Sequence, residues 1–250
     1  MEPSTPQQSI AIPIAIVIGF GLIAAAIFFT GSSSGPALPL VGEQPAEPAA
    51  APIAGEPRPV DENDHIRGNP NAQILLVEYS DFDCPFCKNF HDTMNRVMAE
   101  YGLNGEVAWV YRHFPLQQLH PNAPLIAHAS ECVAELGGND AFWAFSDFVF
   151  NERGTNEPTN MLRLEEFATR AGVDAAAFTS CQESGRHQEA VTDDFQDAVA
   201  AGGQGTPHTI VIVGDQQAVI NGAQPYGQVA ATLDTILAQL DGVSAEEAAQ

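Results

Sequence analysis

Basic residues are nearly missing from this chain: nine Lys and Arg face 32 Asp and Glu, a formal net charge of -23 over 250 residues, and Lys88 is its single lysine. Such a charge repels phosphate backbones and anionic headgroups, which excludes nucleic acid as a partner and leaves proteins or small molecules. Also missing are a phosphate-cradling glycine loop and a dinucleotide fingerprint, so no nucleotide cofactor is expected. There is one CxxC, Cys84-Pro85-Phe86-Cys87, and no second pair to complete a four-ligand zinc site; Lys88 in place of His after it excludes the usual c-type haem attachment. No internal repeat is present. What the chain does have is apolar material, 45% of its residues against 16% charged. That is enough for one sizeable core and too much for a chain disordered throughout.

Residues 10–29 carry no charge, and a helix of that length, at about 1.5 Å per residue, matches a bilayer core of roughly 30 Å. A single-pass membrane anchor is expected. The competing reading is a cleaved secretory signal, suggested by the small residues Thr30, Gly31 and Ser32; the run is long for a signal and no basic residue precedes it. With no Lys or Arg before Arg58, the positive-inside rule has nothing to count. Residues 30–60 then hold seven prolines among alanines and glycines, with no apolar period, and read as a flexible linker. The expected organisation is a short tail (1–9), anchor (10–29), linker (30–60), folded domain (61–241) and polar C-terminal tail (242–250).

Within the domain, residues 73–79 (QILLVEY) form a β-rich run after the turn-forming Gly68-Asn69-Pro70-Asn71. Phe90, Met94, Val97, Met98 and Tyr101 follow at helical spacing, with Gly102 as a stop. Residues 107–111 (VAWVY) complete a β-α-β unit whose two strands should be parallel and right-handed in connection. Helical patterns fill about 121–202. The runs 209–213 and 218–220, split by Gly214-Asp215, then read as an antiparallel hairpin, and Val229, Leu233, Ile236, Leu237 and Leu240 as a last helix. This order describes an α/β domain with a helical insertion. Phe142 to Phe148 is read as insertion core, His91 as a helix-surface histidine, and Asp193-Asp194 as solvated surface.

A CxxC where a strand turns into a helix suits dithiol–disulfide exchange. The first sulfur meets unpaired amide N–H groups and the positive end of the helix dipole, which stabilise a thiolate; the second lies one turn on, within bonding reach. Pro85 fits the first helical position, where a missing N–H costs nothing. Cys84 is therefore expected as the exposed nucleophile and Cys87 as the more buried resolving thiol. The alternatives are a metal half-site, to which His91 would add a ligand, and a static disulfide.

Glu78 to Cys87 (EYSDFDCPFC), Arg112-His113-Phe114-Pro115-Leu116 with His120-Pro121, and Gly205-Thr206-Pro207 before a hairpin together resemble the DsbA-like thiol:disulfide oxidoreductases, in particular the membrane-anchored BdbD and DsbG-like branch. The resemblance spans roughly 61–240 and implies a thioredoxin fold with a helical insertion. It implies that Pro207 is a cis-proline opposite the cysteines, that Thr206 tunes the thiolate and pairs with substrate backbone, and that Glu78 is a buried acid that accepts a proton during exchange. A trans turn proline and a solvent-facing edge-strand glutamate are the respective alternatives. Phe86 departs from the oxidising pattern, which has histidine there, so reducing or isomerising directions stay open beside oxidation.

Because the CxxC reserves Cys84 for Cys87, Cys132 and Cys181 are left to pair with each other, the alternative being two buried thiols. Such a bridge argues for an oxidising compartment. The expected function is an extracytoplasmic thiol:disulfide oxidoreductase acting on secreted or membrane proteins, with no metal and no cofactor beyond its own disulfide. For an oxidase, the resemblance implies a quinone-linked membrane redox partner. The alternative is a non-catalytic chaperone or binding module with a static CxxC.

Overall fold

The computed structural model describes residues 55–247; the expected anchor (10–29), most of the expected linker and residues 248–250 lie outside them. Among the described residues no helix is long and apolar enough to cross a membrane. The strands are β1 (His65–Gly68), β2 (Ile74–Ser80), β3 (Val107–His113), β4 (His208–Val213) and β5 (Gln216–Asn221). They form one mixed sheet in the order β1-β3-β2-β4-β5. β2 and β3 are parallel, with Ile74 opposite Val107 and Ser80 opposite His113, joined through helix α1 (Pro85–Val97), as the β-α-β reading requires. β4 pairs antiparallel with β2, and β5 with β4, giving the expected hairpin. β1 is an addition to the expected strands. Its four residues, HIRG, have no apolar alternation to announce a strand, and they pair antiparallel with the outer edge of β3.

The insertion comprises α2 (Ala123–Asn151), α3 (Leu164–Arg170), α4 (Ala175–Ser184) and α5 (Gln188–Ala200); α6 (Tyr226–Glu247) closes the fold. α2 is broken at Gly138, where φ is +80° and ψ -175°, a conformation that glycine adopts without the steric cost a Cβ would bring. Disulfide Cys132–Cys181 ties α2 to α4 across a Cα–Cα distance of 5.8 Å, as the pairing argument expected. Phe142, Trp143, Phe145 and Phe150 are buried in the main core.

Alternation along β2 and β3 divides the sheet into two faces. On one, Leu76 and Trp109 join Phe90 and Met94 of α1, Phe142 and Phe145 of α2, and Val229 and Leu233 of α6. Glu78, Ser80 and Tyr111 share this face by register. On the other, Val77, Tyr79 and Val110 meet Ala198 of α5. That second face also holds an ion network. Arg112, fully buried, donates from Nε to Asp64 Oδ1 (2.8 Å) and from Nη1 to Asp197 Oδ2 (2.8 Å) and the Arg58 carbonyl (2.9 Å). Arg58 bonds both Asp64 and Asp194 at 2.9 Å, and Tyr79 donates its hydroxyl to Asp197 at 2.5 Å. Burial opposes ionisation of Asp64, but the bonds from Arg112 outweigh it and hold the carboxyl below its ordinary range. Asp194 is thus buried rather than solvated as its sequence suggested: Arg58 and the His113 N–H, 2.9 Å away, supply its partners. Arg58 to Val60 belong to the folded body, just ahead of the expected start at 61.

Candidate active site

β2 ends at Ser80, and Asp81-Phe82-Asp83 carry the chain into α1, whose N-cap is Cys84, extended at φ -69° and ψ 127°, with Pro85 in the first turn. Asp81 fixes this turn. Its Oδ1 accepts the Asp83 N–H (2.8 Å), while Oδ2 accepts the Leu116 N–H (2.8 Å) and lies 2.8 Å from His120 Nδ1. Opposite stands the Thr206–Pro207 peptide, which is cis, as the resemblance implied. The Cys84 thiol donates to the Thr206 carbonyl at 3.5 Å, and the Asp81 N–H donates to Cys87 Sγ at 3.5 Å.

Cys84 and Cys87 are both free thiols. Cys87 is 0% exposed and Cys84 only 3%, so the expected order of burial holds but Cys84 is not the exposed residue the sequence suggested. Its sulfur meets the Thr206 carbonyl, and its own carbonyl is held by Arg153. Phe86, by contrast, projects outward at 62% exposure. Beside the neighbouring Pro85 lies a cavity of about 510 Å³ lined also by exposed Leu119, His120, Glu157 and Pro158.

The two thiols are driven apart in acidity. The Cys87 thiol donating to Cys84, chiefly, brings Cys84 down to about 6; burial opposes this, while Thr206 and the N–H groups of Cys87 and Phe86 assist. Burial, followed by the neighbouring Cys84, pushes Cys87 well above the usual thiol range. Glu78 is buried in the central strand, which excludes the edge-strand reading. Burial raises its pKa to about 7, with Ser80 and Trp109 favouring the ionised form and Cys84 opposing it. Its charge also acts on Cys87. Glu78 Oε2, Ser80 Oγ, Trp109 Nε1 and Tyr111 Oη are all buried without a protein hydrogen-bond partner. A carboxyl that is half-ionised near neutrality, beside a thiol that resists ionisation, can exchange a proton with it.

One residue at the site carries no sequence signal. Arg153 follows α2, is 8% exposed, and donates from Nη2 to the Cys84 carbonyl at 2.7 Å. No motif marks it, because the contact spans 69 positions. His91 departs from its expected surface position: it is buried on the inner side of α1 and lies 2.7 Å from Asp147, with no role at the CxxC.

Among the described residues, two groups of side chains could hold a metal ion. His65 Nε2, His113 Nε2 and Glu131 Oε1 lie within 4.8 Å of one another, with both imidazoles already bonded to Glu131 at 2.7 and 2.8 Å. In the other, Cys132, Cys181 and His187, the sulfurs are joined to each other.

Residues 60–235 match the family model described as Thioredoxin. Among solved structures, BdbD from Bacillus subtilis superposes with a TM-score of 0.62 at 21% identity, covering 73% of this chain and 96% of that one. Wolbachia pipientis alpha-DsbA1 also gives 0.62 at 21%, covering 72% and 94%. Among curated proteins, Na(+)/H(+) antiporter NhaA 1 of Mycolicibacterium gilvum is 38% identical over 157 residues, 62% of this chain and 24% of its own length. NhaA of Herminiimonas arsenicoxydans is 34% identical over 170 residues, 68% of this chain and 24% of its own. The chain thus spans about a quarter of the length of these antiporters. With the matched family model spanning 60–235, and with a cis-proline facing a helix-capping cysteine pair, the chain belongs to the thioredoxin family, and its fold with inserted helices is similar to those of BdbD and alpha-DsbA1.

Proposed function

We propose that this protein is an extracytoplasmic thiol:disulfide oxidoreductase that forms disulfides in secreted or membrane proteins. The observation that carries the reading is the opposed acidity of two free thiols one helical turn apart, Cys84 near 6 and Cys87 far above it. In the oxidising direction, a client thiolate attacks Cys84 of the Cys84–Cys87 disulfide. The S–S bond breaks, a client–Cys84 bond forms, and Cys87 leaves as a thiolate that takes a proton from Glu78. A second client thiol, giving its proton to Glu78, attacks the client sulfur of the mixed disulfide. The client disulfide is released with Cys84 as the leaving thiolate, and two electrons remain on the pair. A quinone-linked membrane protein would remove them, restoring the disulfide, so no cofactor beyond that disulfide is required. Thr206 and Pro207 would present backbone to the client, and Phe86 with Leu119 an apolar surface. The Cys132–Cys181 bridge supports an oxidising compartment. The apolar run at 10–29 and the relatives named as antiporters support a position at a membrane; ion transport is no part of the proposal.

The test equilibrates the full chain in graded glutathione buffers, traps thiols by alkylation and counts labels on each cysteine by mass spectrometry. Joint titration of Cys84 and Cys87 well above about -200 mV is expected; a value near about -270 mV would make the protein a reductant. Cys84→Ser should abolish exchange and Cys87→Ser should accumulate mixed disulfides. A pair that never changes state overturns the reading. The exposed Phe86 and Leu119 favour a second one, a chaperone with a static CxxC. It gains if the Cys84→Ser/Cys87→Ser chain suppresses aggregation as well as the parent and the parent shows no thiol turnover.

A further inference from the structure

We propose that Arg153 is a positioning residue of the redox site, its guanidinium supplying the fixed positive charge for the Cys84 thiolate that an imidazole at position 86 would otherwise provide. The inference rests on the oxidoreductase reading for its purpose and on geometry for its content. Arg58, Arg67, Arg112, Arg163, Arg170 and Arg186 each pair with a carboxylate within 4.0 Å. Arg153 is more buried than most of these, yet among the described residues it has no such pair. Its bonds go to main-chain carbonyls: Cys84 at 2.7 Å, Glu157 at 3.2 Å and Thr155 at 3.4 Å. Its Nε is buried without a partner.

Burial disfavours this guanidinium, and Asp83 and Asp81 offset that only in part from beyond ion-pair distance, so a further anion close by would stabilise it. The anion that the chemistry generates here is Cys84 Sγ, four bonds from the carbonyl oxygen that Arg153 grips. Asp83, next to Cys84 in the chain, acts on Arg153 through space but forms no ion pair with it, its Oδ1 accepting the Thr159 N–H at 2.8 Å. Arg153 and the two active-site sulfurs also interact favourably when the sulfurs ionise. The Phe86 side chain points into solvent and, unlike the Phe86 N–H, offers the sulfur neither charge nor a donor. The guanidinium therefore reaches the Cys84 backbone from the insertion side, where the CxxC pattern gives no hint of it. A constant charge also differs from an imidazole in kind, since it does not titrate between pH 5 and 8.

The experiment compares the full chain with Arg153→Lys, which keeps the charge, and Arg153→Gln, which keeps a donor for the Cys84 carbonyl but no charge. Thiolate absorbance near 240 nm against pH is read in a Cys87→Ser background, and the glutathione equilibrium in the intact pair. Arg153→Gln should lower the ionisation constant of Cys84 about tenfold, the scale of one lost charge at short range, and move the equilibrium several-fold toward the disulfide. Arg153→Lys should retain most of both. The proposal is overturned if the two variants behave alike, shifted or unshifted, since a clamp made only of hydrogen bonds would tolerate Gln at least as well as Lys. Should Arg153→Gln fail to fold, the lysine chain decides: a titration shifted as far as tenfold counts against the charge, and a near-parental one supports it. If the parental pair fails to exchange with glutathione at all, the oxidoreductase reading falls while the optical titration still decides the role of Arg153.

Discussion

The two faces of the central sheet bury polar groups in opposite ways. On the α5 side, Arg112, Asp64, Asp197, Asp194, Arg58 and Tyr79 satisfy one another with short, mostly ionic bonds. On the α1 side, Glu78, Ser80, Trp109 and Tyr111 present polar atoms with no protein partner beside Cys87. Neighbouring positions of the same strands, Glu78 and Tyr79 or Tyr111 and Arg112, thus enter environments of opposite character. A saturated network holds its protons fixed and serves as structure; an unsaturated one keeps a carboxyl near neutrality and leaves a proton free to move.

The largest effect should come from breaking the saturated face. Arg112→Met leaves Asp64 and Asp197 buried without their main counter-charge and should cost about 3–5 kcal/mol in urea denaturation, while the glutathione equilibrium of the reduced and oxidised pair stays at its parental value. A changed equilibrium would mean that the faces are coupled. Cys132→Ala/Cys181→Ala opens a bridge spanning 49 positions and should cost roughly 3–4 kcal/mol, again without moving the active-site potential.

On the other face the sign reverses. The Glu78 pKa is raised to about 7, so the folded protein keeps a proton that the unfolded chain releases, and stability falls as pH rises from about 4.5 through about 7. Glu78→Gln should therefore stabilise the reduced protein, by about 2–3 kcal/mol more at pH 8 than at pH 5, and slow resolution of the mixed disulfide; equal gains at both pH values would remove the buried, titrating carboxyl from the account. Asp64 behaves conversely. Its depressed pKa gives stability that is present above about pH 4 and lost as pH falls through the folded value, so melts of Asp64→Asn and parent should converge in acid. The smallest change is Tyr79→Phe, which removes the hydroxyl bond to Asp197 and the longer one accepted from Arg112, and should cost about 1–2 kcal/mol without altering exchange rates.

Much of the redox face was legible because its signals are local. The CxxC, Pro85 in the first helical turn and the apolar strand around Glu78 lie within ten residues of one another, and the thioredoxin order of elements follows from periodicity. The partners that complete the site are not local. Thr206 could be found only through family resemblance, since it stands 122 positions from Cys84, and Arg153 had no pattern at all. On the opposite face, Asp194 looked like any acid on a helix because its partner Arg58 lies 136 positions earlier, in a segment whose prolines read as linker. β1 escaped notice because an edge strand of four residues can be held by main-chain bonds to β3 without an apolar alternation of its own. His91 misled for a related reason: its cost of burial is met by Asp147, 56 positions away.

The grip on Arg58 has a mechanical side. Its N–H bonds Asp197 at 2.7 Å and its carbonyl bonds Arg112 at 2.9 Å, so tension applied through the chain ahead of it enters the protein at β3 and α5. The load path therefore runs along the face turned away from the cysteines, through bonds that do not involve the turn carrying Cys84.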